Sequence, residues 1–163
     1  MKRTISDLMN QRDLSHPPII EATANIEDAL LHLQSIDVGA LIVMNKGLVV
    51  GVFSERDFAR ACVVEKSDIR LDRKIFTLMS TNVIYVTPDY RLDECMMIMA
   101  KMKIRHLPVI EDDKPIAFLS MRHILEALVE DNQFMVNQLV TYITGSNVTD
   151  KNPEREGLSK ALR

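Results

Sequence analysis

The chain has 163 residues and a net charge of −3. This length, with 47% hydrophobic residues, suffices for a compact core. Its interspersed charges form no basic patch or arm, which argues against a protein that binds nucleic acid by neutralising phosphates. No run of 18 apolar residues and no apolar leader occur, so we expect a soluble, unexported, cytoplasmic protein that neither spans nor anchors in a membrane.

The first half of the chain contains a β-α-β-β-α series of predicted elements. A short extended stretch at residues 18–20 precedes a helix whose apolar face carries Ile26, Leu30 and Leu33. Two apolar strands at residues 38–44 and 48–53 flank the turn Asn45-Lys46-Gly47, which predicts a hairpin. A second helix is predicted to begin after Ser54.

The second half repeats this series. An extended stretch at residues 84–86 precedes a helix with Leu92, Met96 and Met99 on one face. Strands at residues 104–110 and 115–119 form the second hairpin, and the last helix begins after Ser120. That helix is predicted to run to about Tyr142 and to end at Gly145, which would serve as its C-cap.

A comparison of residues 19–60 with residues 85–126, at an offset of 66, supports a tandem duplication. Only four of the 42 pairs are identical, but 18 pairs are apolar in both copies, where independent placement predicts about 12. One such unit is too small to bury both faces of its sheet, so the two copies should pack together. We therefore predict an α/β fold of the α+β type, with repeats at residues 1–66 and 67–145 and a flexible tail at residues 146–163.

The segment Gly51-Val52-Phe53-Ser54-Glu55-Arg56-Asp57 suits a nucleotide at a strand-to-helix turn. Unpaired N–H groups at a helix start attract anions, Ser54 adds a hydroxyl donor, and Arg56 adds a forked cation. The carboxylate of Asp57 is able to accept both hydroxyls of a ribose. A capping box, in which Ser54 and Asp57 only close the helix start, explains the same residues.

In the second copy the corresponding residues are Ser120-Met121-Arg122-His123. The serine and the arginine are retained, although a capping box does not need the arginine and histidine replaces its acid poorly. This pattern favours a turn that faces phosphate and whose ribose-binding half is weakened.

The doubled unit resembles a pair of cystathionine β-synthase (CBS) domains, the Bateman module. The resemblance rests on the Gly-h-h-Ser-x-x-Asp turn (h, hydrophobic), the lead-in Val86-Thr87-Pro88-Asp89 and the segment Ile104-Arg105-His106-Leu107-Pro108-Val109-Ile110. It covers roughly residues 4–143 and implies a regulatory module that binds an adenosine-containing ligand between the repeats. AMP, ADP and ATP are the expected ligands, and NAD(H) or S-adenosylmethionine are further candidates.

The resemblance implies that the turn of one copy works with the lead-in and pre-proline segment of the other. The first cleft would then combine Ser54, Arg56, Asp57, Ile84, Thr87, Arg105 and His106. Ser54 and Arg56 would hold phosphate with added positive charge from Arg105 and His106, Asp57 would take the ribose, and the region of Ile84 and Thr87 would frame the adenine.

A second, weaker cleft would combine Ile20, Gly39, Ala40, Ser120, Arg122 and His123. Here the sequence departs from the family pattern, because His123 replaces the ribose carboxylate and Gly39-Ala40 supply no charge. We expect this cleft to be empty, weaker or adapted to another ligand.

Three classes of function remain open at this point. A nucleotide sensor would signal to a separate regulated protein, and the resemblance also implies a homodimer. A ligand-independent dimerisation scaffold is the alternative. An enzyme is disfavoured, because no catalytic arrangement and no metal-ligand spacing occur in the sequence.

Overall fold

A computed structural model describes residues 3–65 and 69–144 of the chain. Five helices occur in this part of the chain: α1 (Ile5–Gln11), α2 (Ile26–Ser35), α3 (Glu55–Val64), α4 (Leu92–Met102) and α5 (Met121–Thr144). Five strands accompany them: β1 (Ile19–Glu21), β2 (Ala40–Asn45), β3 (Leu48–Ser54), β4 (His106–Glu111) and β5 (Lys114–Ser120). A 3₁₀ turn spans Ile75–Thr77. The predicted mixed α+β fold is confirmed. Helix α1 was not among the predicted elements, and the extended stretch predicted at residues 84–86 forms a single bridge and not a strand.

The hairpins of the two halves share their strand pairing, including one shift of register. Strand β1 pairs in parallel with β2, and β2 pairs antiparallel with β3; strand β4 pairs antiparallel with β5. In place of a third strand, the second half has a parallel bridge between Val86 and Val109. The hairpin register shifts between Val43 and Met44, and it shifts again between Val109 and Ile110, 66 residues later. Both copies therefore carry the same β-bulge, which is a stronger sign of duplication than their sequence identity.

A large buried cluster lies under the first repeat. Its fully buried side chains include Ile26, Leu41, Phe53 and Ile75. Ile75 comes from the turn that follows the first repeat, and its N–H donates to the carbonyl of Ala24 at 3.0 Å. The segment between the repeats is thus part of the core, and it also approaches the cleft described below.

The chain divides into two compact units, Met1–Ile124 and Leu125–Arg163. The strands and both clefts belong to the first unit, and α5 continues from the first unit into the second. The predicted repeat boundaries at residues 66 and 145 stay a prediction. Gly145 and the predicted tail at residues 146–163 lie outside the described residues.

The two hairpin turns have the same left-handed backbone but different residues. Lys46 and Gly47 have φ values of 51° and 81°, and Asp112 and Asp113 have values of 49° and 60°. Positive φ at both central residues is the signature of a type I′ turn, in which glycine is the residue with least strain.

We expect Asp113→Gly to raise the free energy of unfolding by about 0.5–1 kcal/mol, because a side chain in this conformation is strained. Gly47→Asp at the corresponding position should lower it by a similar amount. Urea denaturation of both variants measures the two changes, and a stabilised Gly47→Asp variant would contradict the explanation.

Candidate functional site

A cleft of about 370 Å³ lies where the two repeats meet. It collects six of the seven residues predicted for the first site: Ser54, Arg56, Asp57, Ile84, Arg105 and His106. Its volume is within the range of sites that bind small molecules. The predicted pairing of one repeat's turn with the other repeat's pre-proline segment is therefore present in the structure.

The turn from β3 to α3 forms the capping box that was the alternative interpretation. The backbone N–H of Ser54 donates to Asp57 Oδ2 at 2.9 Å, and the Ser54 hydroxyl donates to the same oxygen at 2.6 Å. The N–H of Asp57 returns a bond to Ser54 Oγ at 3.4 Å. The other carboxylate oxygen, Oδ1, accepts from the hydroxyl of Ser80 at 3.4 Å. Because Asp57 lines the cleft as well, capping and ligand binding are compatible roles for one carboxylate.

Positive charge dominates the first cleft. Its charged lining residues are four cations, Arg56, Arg60, Lys103 and Arg105, and one carboxylate, Asp57. Arg56 Nη1 donates to the backbone carbonyl of Lys103 at 3.0 Å, which positions this guanidinium across the cleft at the end of α4. This arrangement would attract an anionic ligand.

The predicted charge on His106 is wrong. Burial lowers the pKa of this side chain to about 4, and Arg105, His123 and Arg56 act in the same direction. The imidazole stacks on Phe118 with ring centroids 5.3 Å apart. His106 is therefore neutral near pH 7 and contributes surface and hydrogen-bonding capacity to the cleft rather than positive charge.

Thr87 does not line the first cleft. Val86 pairs with β4 through bonds to Pro108 and Ile110, and side chains alternate along such an extended segment. Thr87 therefore lies on the same side as Tyr85, and both line a separate cavity of about 600 Å³. The hydroxyl of Thr87 donates a hydrogen bond to Asp89 Oδ1.

Four polar residues of the cleft were not anticipated from the sequence. Arg60 follows Arg56 by four residues on α3, a helical spacing that was available as a signal. Lys103 has a left-handed backbone (φ 56°) that ends α4. Ser80 and Asn82 come from the segment between the repeats, which the comparison of residues 19–60 with 85–126 does not cover.

A second cleft of about 510 Å³ includes Gly39, Ser120, Arg122 and His123 from the predicted set. Two predicted members lie elsewhere. Ala40 lines the first cleft, and Ile20 packs against the core cluster of the first repeat. Lining residues of the second cleft also include Asp13, His16, Asp37 and Glu55, so it mixes acidic and basic groups.

His123 replaces Asp57 in the cap of α5 better than expected. Its Nδ1 accepts the backbone N–H of Ser120 at 3.3 Å, and its own N–H donates to Ser120 Oγ at 3.3 Å. A ring nitrogen thus takes the place of a carboxylate oxygen. The interpretation of histidine as a poor capping residue is corrected, because an unprotonated imidazole nitrogen is a good acceptor.

The two clefts share part of their lining. Gly39, Arg105 and His106 border both cavities. A Cβ placed on Gly39 would lie 3.5 Å from Cε1 of His106, so the imidazole fits closely against this glycine.

In residues 3–65 and 69–144, no three histidine, cysteine or carboxylate side chains come together as a metal site. Over the same ranges, no helix has both the length and the apolar character needed to cross a bilayer.

Comparison with protein families gives two matches to the CBS domain model, at residues 5–64 and 73–130. Among curated proteins, a CBS domain-containing protein of Arabidopsis thaliana, CBSX3, mitochondrial, is 29% identical over 150 residues. The match covers 87% of this chain and 72% of that protein.

Solved structures show the same fold. The CBS-domain containing protein ATU1752 from Agrobacterium tumefaciens is 25% identical, with a TM-score of 0.72 over 78% of this chain and 94% of that one. The CBS domain protein PAE2072 from Pyrobaculum aerophilum, solved in complex with AMP, is 26% identical. Its TM-score is 0.64, over 78% of this chain and 99% of that one.

Proposed function

Because the chain belongs to the CBS domain family, we propose that it is a regulatory module that binds an adenosine nucleotide in the first cleft. The observation that carries this proposal is the lining of that cleft, where four cations and one carboxylate surround the start of α3. The AMP complex of a relative that is 26% identical supports the choice of ligand class.

The residues of the cleft divide by chemistry. Arg56, Arg60 and Arg105 would hold phosphate oxygens, since guanidinium groups form paired charge-assisted hydrogen bonds. Asp57 would accept ribose hydroxyls through Oδ1 while Oδ2 remains in the cap. Ile84 and Val83 would provide an apolar surface for the base. AMP, ADP and ATP fit this division best, and NAD(H) and S-adenosylmethionine are further candidates.

Regulation requires that the nucleotide favours one conformation of the module over another. A separate protein would read that difference, and a homodimer would transmit it. The role we propose is therefore not catalytic. Thr87, which the sequence placed near the adenine, is left out of the proposed site, and the second cleft is not assigned a nucleotide.

A second candidate function, a ligand-independent scaffold, is favoured by one observation. The hydrogen bonds of the Ser54–Asp57 box fully account for these two residues as a helix cap. The scaffold and the sensor predict different consequences of removing the Asp57 carboxylate.

We expect Asp57→Ala to weaken nucleotide binding by about 10- to 100-fold, since a hydrogen bond to a charged group contributes roughly 1.5–3 kcal/mol. The variant should also lose about 0.5–2 kcal/mol of stability with its cap. Isothermal titration calorimetry with AMP, ADP, ATP, NADH and S-adenosylmethionine measures the first effect, and urea denaturation measures the second.

Asp7→Ala is the matched control. Asp7 forms the same capping box with Thr4 at the start of α1 and does not line the first cleft. It should lose a similar amount of stability and keep the affinity of the native protein. Absence of binding by all five ligands, or equal affinity of native protein and Asp57→Ala, would overturn the sensor and leave the scaffold.

A further inference from the structure

Helices α2 and α4 end in the same backbone motif, 66 residues apart. After α4, the N–H of Lys103 donates to the carbonyl three residues back at 3.3 Å, and the N–H of Ile104 donates to the carbonyl five residues back at 3.0 Å. After α2, Asp37 and Val38 make the corresponding bonds at 3.4 and 3.1 Å. This pair of bonds defines a Schellman motif, which both repeats therefore share.

The left-handed position of this motif carries a charged side chain in each copy. Lys103 has a φ value of 56°, and Asp37 has a φ value of 53°. Glycine is the usual residue at this position, because any side chain is strained in the left-handed conformation. Strained residues of this kind cluster at functional sites. Since the backbone motif needs neither charge, the two side chains call for another explanation.

The two side chains line different clefts and carry opposite charges. Lys103 lines the first cleft, and Asp37 lines the second. Apart from histidines, the charged lining of the first cleft is four cations and one carboxylate, whereas that of the second is two arginines and three carboxylates. The exchange of lysine for aspartate at one position of the repeat therefore contributes directly to the opposite charge balance of the two clefts.

Lys103 contributes to the first cleft in two separable ways. Its backbone carbonyl accepts the bond from Arg56 Nη1 at 3.0 Å, and its exposed side chain adds an ammonium group to the lining. Glycine adopts the same backbone conformation, so Lys103→Gly removes the ammonium and keeps the carbonyl. An ammonium on a flexible stem acts as a point charge. Its contribution to binding therefore grows with the charge of the ligand.

We propose that Lys103 is a specificity-determining residue of the first cleft, which raises the preference of this cleft for ATP and ADP over AMP. The inference rests on the proposed nucleotide-binding function and assigns to one side chain the discrimination by number of phosphate groups. The strained lysine is retained in the left-handed position because its charge acts there on the phosphate chain. Arg56 keeps its place through the carbonyl, whichever side chain this position carries.

Isothermal titration calorimetry of the full chain with AMP, ADP and ATP, in buffer without magnesium, tests this role. Lys103→Gly should weaken ATP binding about fivefold and AMP binding about twofold, the size expected for an exposed pair of charges. Lys103→Asp introduces the residue that the first repeat has at this position. It should weaken ATP binding about 25-fold and AMP binding about fivefold, because it reverses the charge and keeps a strained side chain.

Asp37→Gly is the matched control, because it relieves the same strain at the end of α2 and Asp37 does not line the first cleft. Both glycine variants should raise the midpoint of urea denaturation by a similar amount. Only Lys103→Gly should change the ratio of ATP affinity to AMP affinity. Lys103→Arg keeps the charge and should keep the native ratio, and raised salt should diminish the differences among the variants of Lys103.

The same ratio of ATP affinity to AMP affinity in the native protein and in Lys103→Asp would overturn the role of Lys103 and leave the nucleotide site in place. An equal change of the ratio in Lys103→Gly and Asp37→Gly would overturn it too, because the effect would then come from the backbone. Absence of binding by the native protein to all three nucleotides would overturn the proposed function and this inference together, so the two failures are distinguishable.

Discussion

Replacing Gly51 by valine is expected to lower the free energy of unfolding by about 3 kcal/mol, the upper part of the range for overpacked cores. Gly51 is buried on β3, opposite Val43. A Cβ at this position would lie 2.6 Å from Sδ of Met79 and 3.0 Å from the carbonyl oxygen of Ser80. The thioether is flexible, but the backbone carbonyl is held by its bond to the N–H of Val52 at 3.0 Å.

The same substitution should weaken the nucleotide binding that we propose, because the segment that it displaces forms one wall of the first cleft. Ser80, Asn82, Val83 and Ile84 line that cleft. Urea denaturation measures the stability, and calorimetric titration measures the affinity. At the corresponding position of the second repeat the chain has Ala117, a fully buried residue, so a methyl group is accommodated there.

A double-mutant cycle with Met79→Ala separates the contributions to this loss. Removing the thioether should restore part of the stability of Gly51→Val, which gives a positive interaction between the two sites. Wild-type stability of Gly51→Val alone would show that the segment around Ser80 is not held against β3 as described.

The second large effect is a loss of stability on acidification that depends on His106. Its pKa is lowered to about 4 in the folded chain, against an ordinary value of 6.5. Between pH 6.5 and about 4 this imidazole is protonated in the unfolded chain and neutral in the folded chain, so the free energy of unfolding decreases as the pH falls through this range. Each unit of pKa difference corresponds to about 1.4 kcal/mol, and the full window corresponds to roughly 3 kcal/mol.

The contribution of His106 is complete above pH 6.5, where the imidazole is neutral in both states, and is lost between pH 6.5 and about 4. Other groups titrate in this range, so the measurement is a difference. Unfolding free energies of the native protein and of His106→Gln are compared at steps of pH. The curves should run in parallel above pH 6.5 and converge or cross below it, and parallel curves throughout would contradict the lowered pKa.

The fold was predictable because its signals are local and occur twice. Apolar periodicity identified the helices and hairpins, and Ser54 and Ser120 marked the starts of α3 and α5. The 66-residue offset between corresponding elements provided a check that a single copy lacks. The parallel bridge at Val86 was harder to place, because one residue pair leaves little trace in a sequence.

The site was predictable only for residues whose side-chain chemistry and position in the repeated unit both indicated a role. Ser54, Arg56, Asp57, Ile84 and Arg105 lie in the predicted cleft, but the charge of His106 depends on burial, which the sequence does not display. The prediction for Thr87 was wrong because side chains alternate along an extended segment, which directs Thr87 away from the first cleft. The polar groups of the segment between the repeats have no counterpart at the same offset and gave no duplicated signal.

The common border of the two clefts has a thermodynamic consequence. Arg105 borders both cavities, and its counterpart in the other repeat is Gly39, which offers no charge. One guanidinium cannot fully neutralise two anions at once. Anions that fill both clefts would therefore compete for it, and each would reduce the affinity for the other by the same factor. If both clefts took up anions, the occupancy of one cleft would therefore change the affinity of the other.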